Sequence, residues 1–224
     1  MHTARKPVAS KPSTIIYPER LRAILNETVA QNPGKTVTQG YIRVEQLISN
    51  GKTNYTFPVT KDSNSDSATE RKLDRNDKFK MTHVGMFLVK KDSTLPSLEV
   101  DQTYPNIQVF PDESTTFYGA HLEVFYKGNF QIRIGQTLYV EALDTARFRV
   151  VGNTQQSSAT TKSSVNPYDG YTELTPQITL DGDGKSQIQL SVPANSNLKV
   201  ANTTTNMSNY VVFAARGFLI TDKK

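Results

Sequence analysis

Three histidines (His2, His83 and His121) and a scatter of carboxylates are the groups from which any chemistry would have to be built. His83 and His121 each adjoin an apolar run, where a lone imidazole is ordinarily a packed or surface residue. Glu123, Glu141 and Asp144 could in principle supply the two carboxyl groups that flank a glycosidic bond, but nothing in their spacing selects them over ordinary charges on a strand face. Asp181-Gly182-Asp183-Gly184 opens like a calcium loop. The twelfth position counted from Asp181 is Val192, however, where an EF-hand needs a bidentate Glu; a tight hairpin turn is the better reading. No Ser sits in a G-x-S-x-G elbow, no H-E-x-x-H occurs, and no Gly-rich phosphate loop is present. Asn26, Asn54, Asn202 and Asn206 begin N-x-[ST] sequons, which so Asn- and Thr-rich a chain produces by chance. The sequence has no Cys, which excludes disulfides, thiolate zinc sites and Cys nucleophiles. It therefore predicts no catalytic residue, no metal site and no cofactor, in a chain that is not an enzyme.

The elements that would position any site are read from composition and period. Of 224 residues only 36% are hydrophobic, and 26 Thr, 17 Ser and 15 Asn fill the deficit. Thr and Ser suit strands and turns rather than helix interiors, so the composition leans all-β. One short helix is predicted over 18–32. Pro18 fits a first turn, Leu21, Ile24, Leu25, Thr28 and Val29 recur at helical spacing, and Asn32-Pro33-Gly34 ends it. Its stripe suits packing against a sheet or a neighbouring subunit; the competing reading is a helix lying in a membrane interface. No apolar run approaches the roughly 20 residues of a membrane-spanning helix, and the basic start lacks the apolar core of a secretory signal.

From residue 36 to 224 the signals are those of strands. They cover 40–48, 55–59, 84–89, the pieces at Ile107, Val109 and Phe110, then 122–126, 130–134, 138–143, 148–151, 178–180, 188–192 and 211–220. Pro58 marks an edge. The continuous apolar run 84–89 predicts a strand buried on both faces. Lys127-Gly128-Asn129 reads as the turn of a hairpin joining 122–126 to 130–134. Ten or eleven strands with no helical pattern between them argue for one antiparallel sandwich or barrel, interrupted by polar stretches at 61–80 and 153–170.

The charge is concentrated at one end. Residues 1–22 hold Arg5, Lys6, Lys11, Arg20 and Arg22 against Glu19 alone, so +4 of the formal +5 lies there and the β-body is nearly neutral. Residues 1–17, with Pro7 and Pro12, read as an extended basic arm: either a solvated tail or a segment lying against something anionic, such as nucleic acid or lipid headgroups.

A basic arm, a short helix and a neutral Thr/Asn-rich β-body form a layout that suits a shell-forming subunit, a rigid wedge with a tether beneath it. The segments 72–79 (KLDRNDKF), 103–106 (TYPN), 122–129 (LEVFYKGN) and 176–182 (PQITLDG) resemble those of structural proteins from small icosahedral tailless phages, the lipid-containing phages of flavobacteria. The similarity runs thinly from about residue 40 to residue 220. It implies a jelly-roll fold, single or minimally double, in a major capsid protein forming trimers with copies of itself and meeting other capsid proteins. Such a protein is assembled in the host cytoplasm and resides in the virion. Arg5, Lys6, Lys11, Arg20 and Arg22 would then face inward, toward membrane lipid or genome. A penton or minor capsid role is the nearest alternative. A receptor- or carbohydrate-binding sandwich is another, drawing on loop aromatics Tyr104, Phe117, Tyr118, Tyr168 and Tyr171, although the chain has no Trp.

Overall fold

A computed structural model of the chain describes residues 19–49, 51–62, 69–92, 101–106, 109–110, 120–151, 168–194 and 207–222. The basic arm, and with it Arg5, Lys6 and Lys11, lies outside the described residues, as do Phe117 and Tyr118. The predicted helix is present as α1 (Glu19–Gln31). Leu21, Ile24 and Thr28 are its buried positions, and Leu21 and Ile24 pack on Phe218 with Leu25 and Val37 beside them. The Thr28 hydroxyl donates to the Ile24 carbonyl at 2.6 Å, and the Asn32 amide donates to the Thr28 carbonyl at 2.8 Å, so the helix end is closed by side chains. Gly34 follows at φ +82°, the left-handed position that stops a helix.

Eight strands make up the body among the described residues: β1 (Lys35–Leu47), β2 (Asn54–Pro58), β3 (Lys78–Asp92), β4 (Asn129–Ile134), β5 (Thr137–Asp144), β6 (Tyr171–Asp181), β7 (Ser186–Ser191) and β8 (Met207–Asp222). They form two four-stranded sheets, ordered β1-β8-β3-β6 and β2-β7-β4-β5, with every neighbouring pair antiparallel. The pairings are nested. β4 pairs with β5, β3 with β6, β2 with β7 and β1 with β8, as in one long hairpin ribbon. The ribbon closes on itself through two further pairings, β3 with β8 and β4 with β7.

The fold class is therefore an all-β antiparallel sandwich with one short N-terminal helix. Alternation explains how its core forms. Tyr55 and Phe57 of β2, Ile188 and Leu190 of β7, and Phe130 and Ile132 of β4 turn one face inward to meet Ile42, Val44, Met86, Leu88, Val211 and Phe213 of the other sheet. Phe213 crosses between the sheets to lie 5.6 Å from Phe130 and 5.9 Å from Phe57, ring centre to ring centre. Every residue from Val84 to Val89 is buried, as the continuous apolar run predicts. Phe87 and Val89 form a second cluster with Val212 and Ala214 on the outer face of that sheet, and Tyr171 and Tyr210 pack against it.

Several expected strands are not strands. Residues 122–126 lie in a 3-10 helix, Ala120–Lys127, with Leu122, Val124, Phe125 and Tyr126 buried and Phe125 5.4 Å from the Tyr55 ring. A run this short, Leu122 to Tyr126 with only Glu123 breaking it, has too little period to distinguish helix from strand, and here tertiary packing decides. Lys127-Gly128-Asn129 is accordingly not a hairpin turn; the Gly128 carbonyl and N–H both bond Thr145 instead. Residues 148–151 follow a second 3-10 turn, Thr145–Phe148, whose start Asp144 caps by accepting the Ala146 N–H at 2.9 Å. Ile107 lies outside the described residues, and Val109 and Phe110 sit in a turn closed onto the Asn106 carbonyl. Finally, the Asp181–Gly184 turn is tight but makes no hairpin, since it carries the chain from β6 in one sheet to β7 in the other.

Candidate functional site

The outer face of the β1-β8-β3-β6 sheet carries a cleft whose residues are brought together by strand register. Across the four strands, Tyr41 of β1 opposes Arg216 of β8, Arg216 opposes His83 of β3, and His83 opposes Glu173 of β6. Directly opposed residues share a face, so Tyr41, Arg216, His83 and Glu173 form one row. Two residues along, the row is Arg43, Ala214, Gly85 and Tyr171. The two central members of that second row are small, and the flanking Arg43 and Tyr171 are large. The result is a depression of about 510 Å³, lined also by Gln39, Thr82, Asp101 and Tyr168 and bounded at one end by Leu21 of α1.

Gly85 is needed for this shape. A Cβ there would lie 2.9 Å from the Gly170 carbonyl oxygen and 3.0 Å from the Tyr171 ring, so any side chain would push the 168–171 turn off the sheet. That turn is closed by the Tyr171 N–H donating to the Tyr168 carbonyl at 3.0 Å. Its two rings hold Arg216, whose guanidinium lies 4.6 Å from the Tyr171 ring centre and 5.3 Å from that of Tyr168. His83 packs on the Tyr168 ring at 5.4 Å. Burial pushes the Tyr171 hydroxyl above its ordinary range, with the guanidinium of Arg216 opposing that rise.

The charges around the cleft are unequally satisfied. Arg43 bonds Asp101 at 2.8 Å and the Thr69 carbonyl at 3.0 Å, and it pairs with Glu45. Glu45 also takes Lys91 and the Thr69 hydroxyl, with only 3% of its side chain exposed. At the β6 end of the first row Glu173 is paired with Arg20 at 2.9 Å, and Arg20 donates to the Thr175 hydroxyl at 3.0 Å. Arg216 makes no ion pair with a carboxylate among the described residues.

Burial holds His83 below the ordinary imidazole pKa of 6.5; Glu173 opposes that shift, while Arg216 and Arg20 reinforce it. The groups facing the ring are these three charges together with Tyr168 and the Thr82 hydroxyl 3.0 Å from Nδ1. The sign follows from proton counting. Between the lowered folded value and the unfolded value near 6.5, the unfolded chain binds more protons, so stability rises with pH in that window. His83's contribution is present above pH 6.5 and is lost on acidification below it. Melting curves at pH 7.5 and pH 5.5 should differ more for the parent protein than for His83→Gln; an identical pH response in the two would refute the assignment.

The residues singled out from the sequence are dispersed. Arg20 is bound to Glu173 of β6, and Arg22 is exposed on α1. Glu123 is held by Arg149 through paired bonds of 2.8 to 3.2 Å, Glu141 is exposed on β5, and Asp144 caps a turn. Asp181 pairs with Lys78 at 3.0 Å and Asp183 with Lys185 at 2.9 Å. Among the described residues no group of three or more potential metal-binding side chains converges. Of the loop aromatics, Tyr168 and Tyr171 meet in the cleft, while Tyr104 does not line it. Tyr41, Arg43, Asp101 and Arg216 were not foreseeable as a set. The one local signal is Arg216-Gly217, a charge and a break inside an otherwise apolar strand.

Compared with protein-family models, with curated proteins and with solved structures, the chain finds no match.

Proposed function

We propose that this chain is a structural shell protein, a single jelly roll that assembles with copies of itself into an icosahedral phage capsid, its basic arm turned to the interior. The observation that carries the reading is the nested strand pairing. A ribbon in which β1 meets β8, β2 meets β7, β3 meets β6 and β4 meets β5, rolled into two four-stranded sheets, supports a two-Greek-key jelly roll, a fold of capsid domains. Eight described strands suit one such unit rather than two. Edge strands on both sheets carry large exposed apolar side chains, Leu47 on β1 and Leu138 and Tyr139 on β5, as lateral packing between subunits would use. Arg5, Lys6, Lys11 and Arg22, beside a near-neutral body, would supply the inward-facing charge for lipid headgroups or genome, whereas Arg20 is committed to Glu173.

Size-exclusion chromatography with light scattering tests this. Trimers, pentamers or spontaneous particles are expected, with deletion of residues 2–16 leaving the β-fold intact while impairing particle formation. A strictly monomeric protein at high concentration would overturn the reading. The second reading, a receptor- or carbohydrate-binding sandwich, is favoured by the meeting of Tyr168 and Tyr171 around Arg216, and by that result it would be promoted.

A further inference from the structure

We infer that the cleft over Ala214 and Gly85 is a binding site for a carboxylate-bearing sugar, with Arg216 taking the carboxylate. The site goes beyond the shell role. It is formed within one subunit, and ligand binding to it is measurable whether or not copies associate.

Three features converge on this ligand class. The first is the state of Arg216. The Tyr168 and Tyr171 rings lie 5.3 and 4.6 Å from the guanidinium, and Tyr171 takes a hydrogen bond from it, so the group is held at the cleft with further N–H donors than Tyr171 alone can use. Those groups match the two oxygens of a carboxylate. The neighbouring cations Arg20 and Arg43 are held by Glu173 and by Glu45 and Asp101, whereas Arg216 faces the cleft with no described carboxylate.

The second is the rest of the lining. Beyond Arg216 the cleft offers the Tyr41 hydroxyl, the Gln39 amide and the Asp101 carboxylate, a mixture of donors and acceptors that suits a ring bearing several hydroxyls. Asp101 also disfavours a second anionic group, which argues for a monoanionic polyol over a phosphate-rich ligand. Tyr41 lines the cleft and is 57% exposed, an aromatic surface open to a ligand. The volume of about 510 Å³ lies within the range of small-ligand sites.

The third is the backbone. The floor belongs to β8 and β3, both of which have neighbours on each side. On β1, the N–H and carbonyl of Arg43 are taken by Arg71. A peptide adding as a strand along β1 would meet an occupied position at Arg43, and over the β8 and β3 floor recognition runs through side chains.

The test is a titration of the full-length ¹⁵N-labelled protein with D-glucuronate, followed by amide shifts, with D-glucose, acetate and a hexaglutamate peptide as comparison ligands. Saturable shifts at His83, Ala214 and Arg216 are expected with glucuronate, at affinity at least ten-fold above those of glucose and acetate. Arg216→Gln should lower that affinity at least ten-fold. Tyr41→Ala, at an exposed position that does not endanger folding, should lower it several-fold. The inference is overturned by the absence of saturable shifts, by acetate binding as tightly as glucuronate, by tighter binding of hexaglutamate, or by unchanged affinity in Tyr41→Ala. Particles that form normally yet ignore glucuronate would refute this site alone; a monomer that binds it would refute only the shell.

Discussion

Replacing Glu45 with alanine is expected to destabilise the protein by about 3–5 kcal/mol, the range for breaking a buried ion pair from one side. The Glu45 carboxylate is 3% exposed and accepts from three partners at once: Arg43, Lys91 and the Thr69 hydroxyl. The side chains of Arg43 and Lys91 are only 11% and 8% exposed, so water cannot readily take the place of the lost carboxylate. The cluster also joins distant pieces of chain. The Glu45 N–H donates to Glu70 at 3.0 Å, and Lys91 donates to Thr69 at 2.6 Å, which ties residues 69–72 to β1 and β3. The physical claim is sharpened by the paired change. Glu45→Leu combined with Lys91→Met removes both charges and should recover much of the loss, since a well-packed apolar pair is often no worse than a buried ionic one. Urea unfolding of the parent, Glu45→Ala and the double variant measures all three. A loss below about 1 kcal/mol for Glu45→Ala, typical of a surface pair, would show that the cluster is solvated and that Arg43 is not fixed by it.

The parts of this fold that are legible in the sequence are those where one local period settles the matter. Tyr55, Phe57 and Val59 alternate with Thr56 and Pro58, and Ile188, Leu190 and Val192 with Gln189 and Ser191; in each set the three named first are buried. Pro58 belongs to an edge strand because its sheet can do without its missing N–H only there. The run 122–126 is too short, with Glu123 among its apolar residues, to show a period, and in the 3-10 helix Phe125 seats on Tyr55, a contact 70 residues away that no local pattern encodes. The cleft was hidden for the same reason. Tyr41, His83, Tyr171 and Arg216 are spread along the chain and become neighbours only through the registers of β1, β3, β6 and β8. Read singly, His83 is an unremarkable histidine. Only the row it occupies, between Glu173 and Arg216, gives it a role.

That row depends on Gly217, and Gly217→Ala is expected to be among the most damaging single substitutions in the chain, at about 3 kcal/mol or more, since relief requires a backbone shift rather than a rotamer change. β8 is held on both sides, Gly217 opposing Gly40 of β1 and Met81 of β3. A Cβ there would collide with the Lys80 carbonyl oxygen and stand 3.1 Å from the Met81 Cα, both of them backbone atoms in the middle of the sheet. The β3 register shifts between Met81 and His83, and the residue in the gap, Thr82, donates its hydroxyl to the Arg216 carbonyl at 3.0 Å. This irregularity puts His83, rather than Thr82, opposite Arg216. Separating β8 from β3 at Gly217 therefore threatens both the longest pairing among the described strands and the alignment that builds the cleft. A one-residue slip would send the inward set, Met81 and Phe79 among them, to the opposite face. Urea unfolding together with amide spectra of Gly217→Ala is the measurement. The expected result is a lower midpoint, or no recoverable folded protein, with the largest shifts at Lys80, Thr82, His83 and Arg216. A variant that unfolds at the parent midpoint with an unperturbed Arg216 would mean that this close approach does not set the register and that the row is held by other contacts.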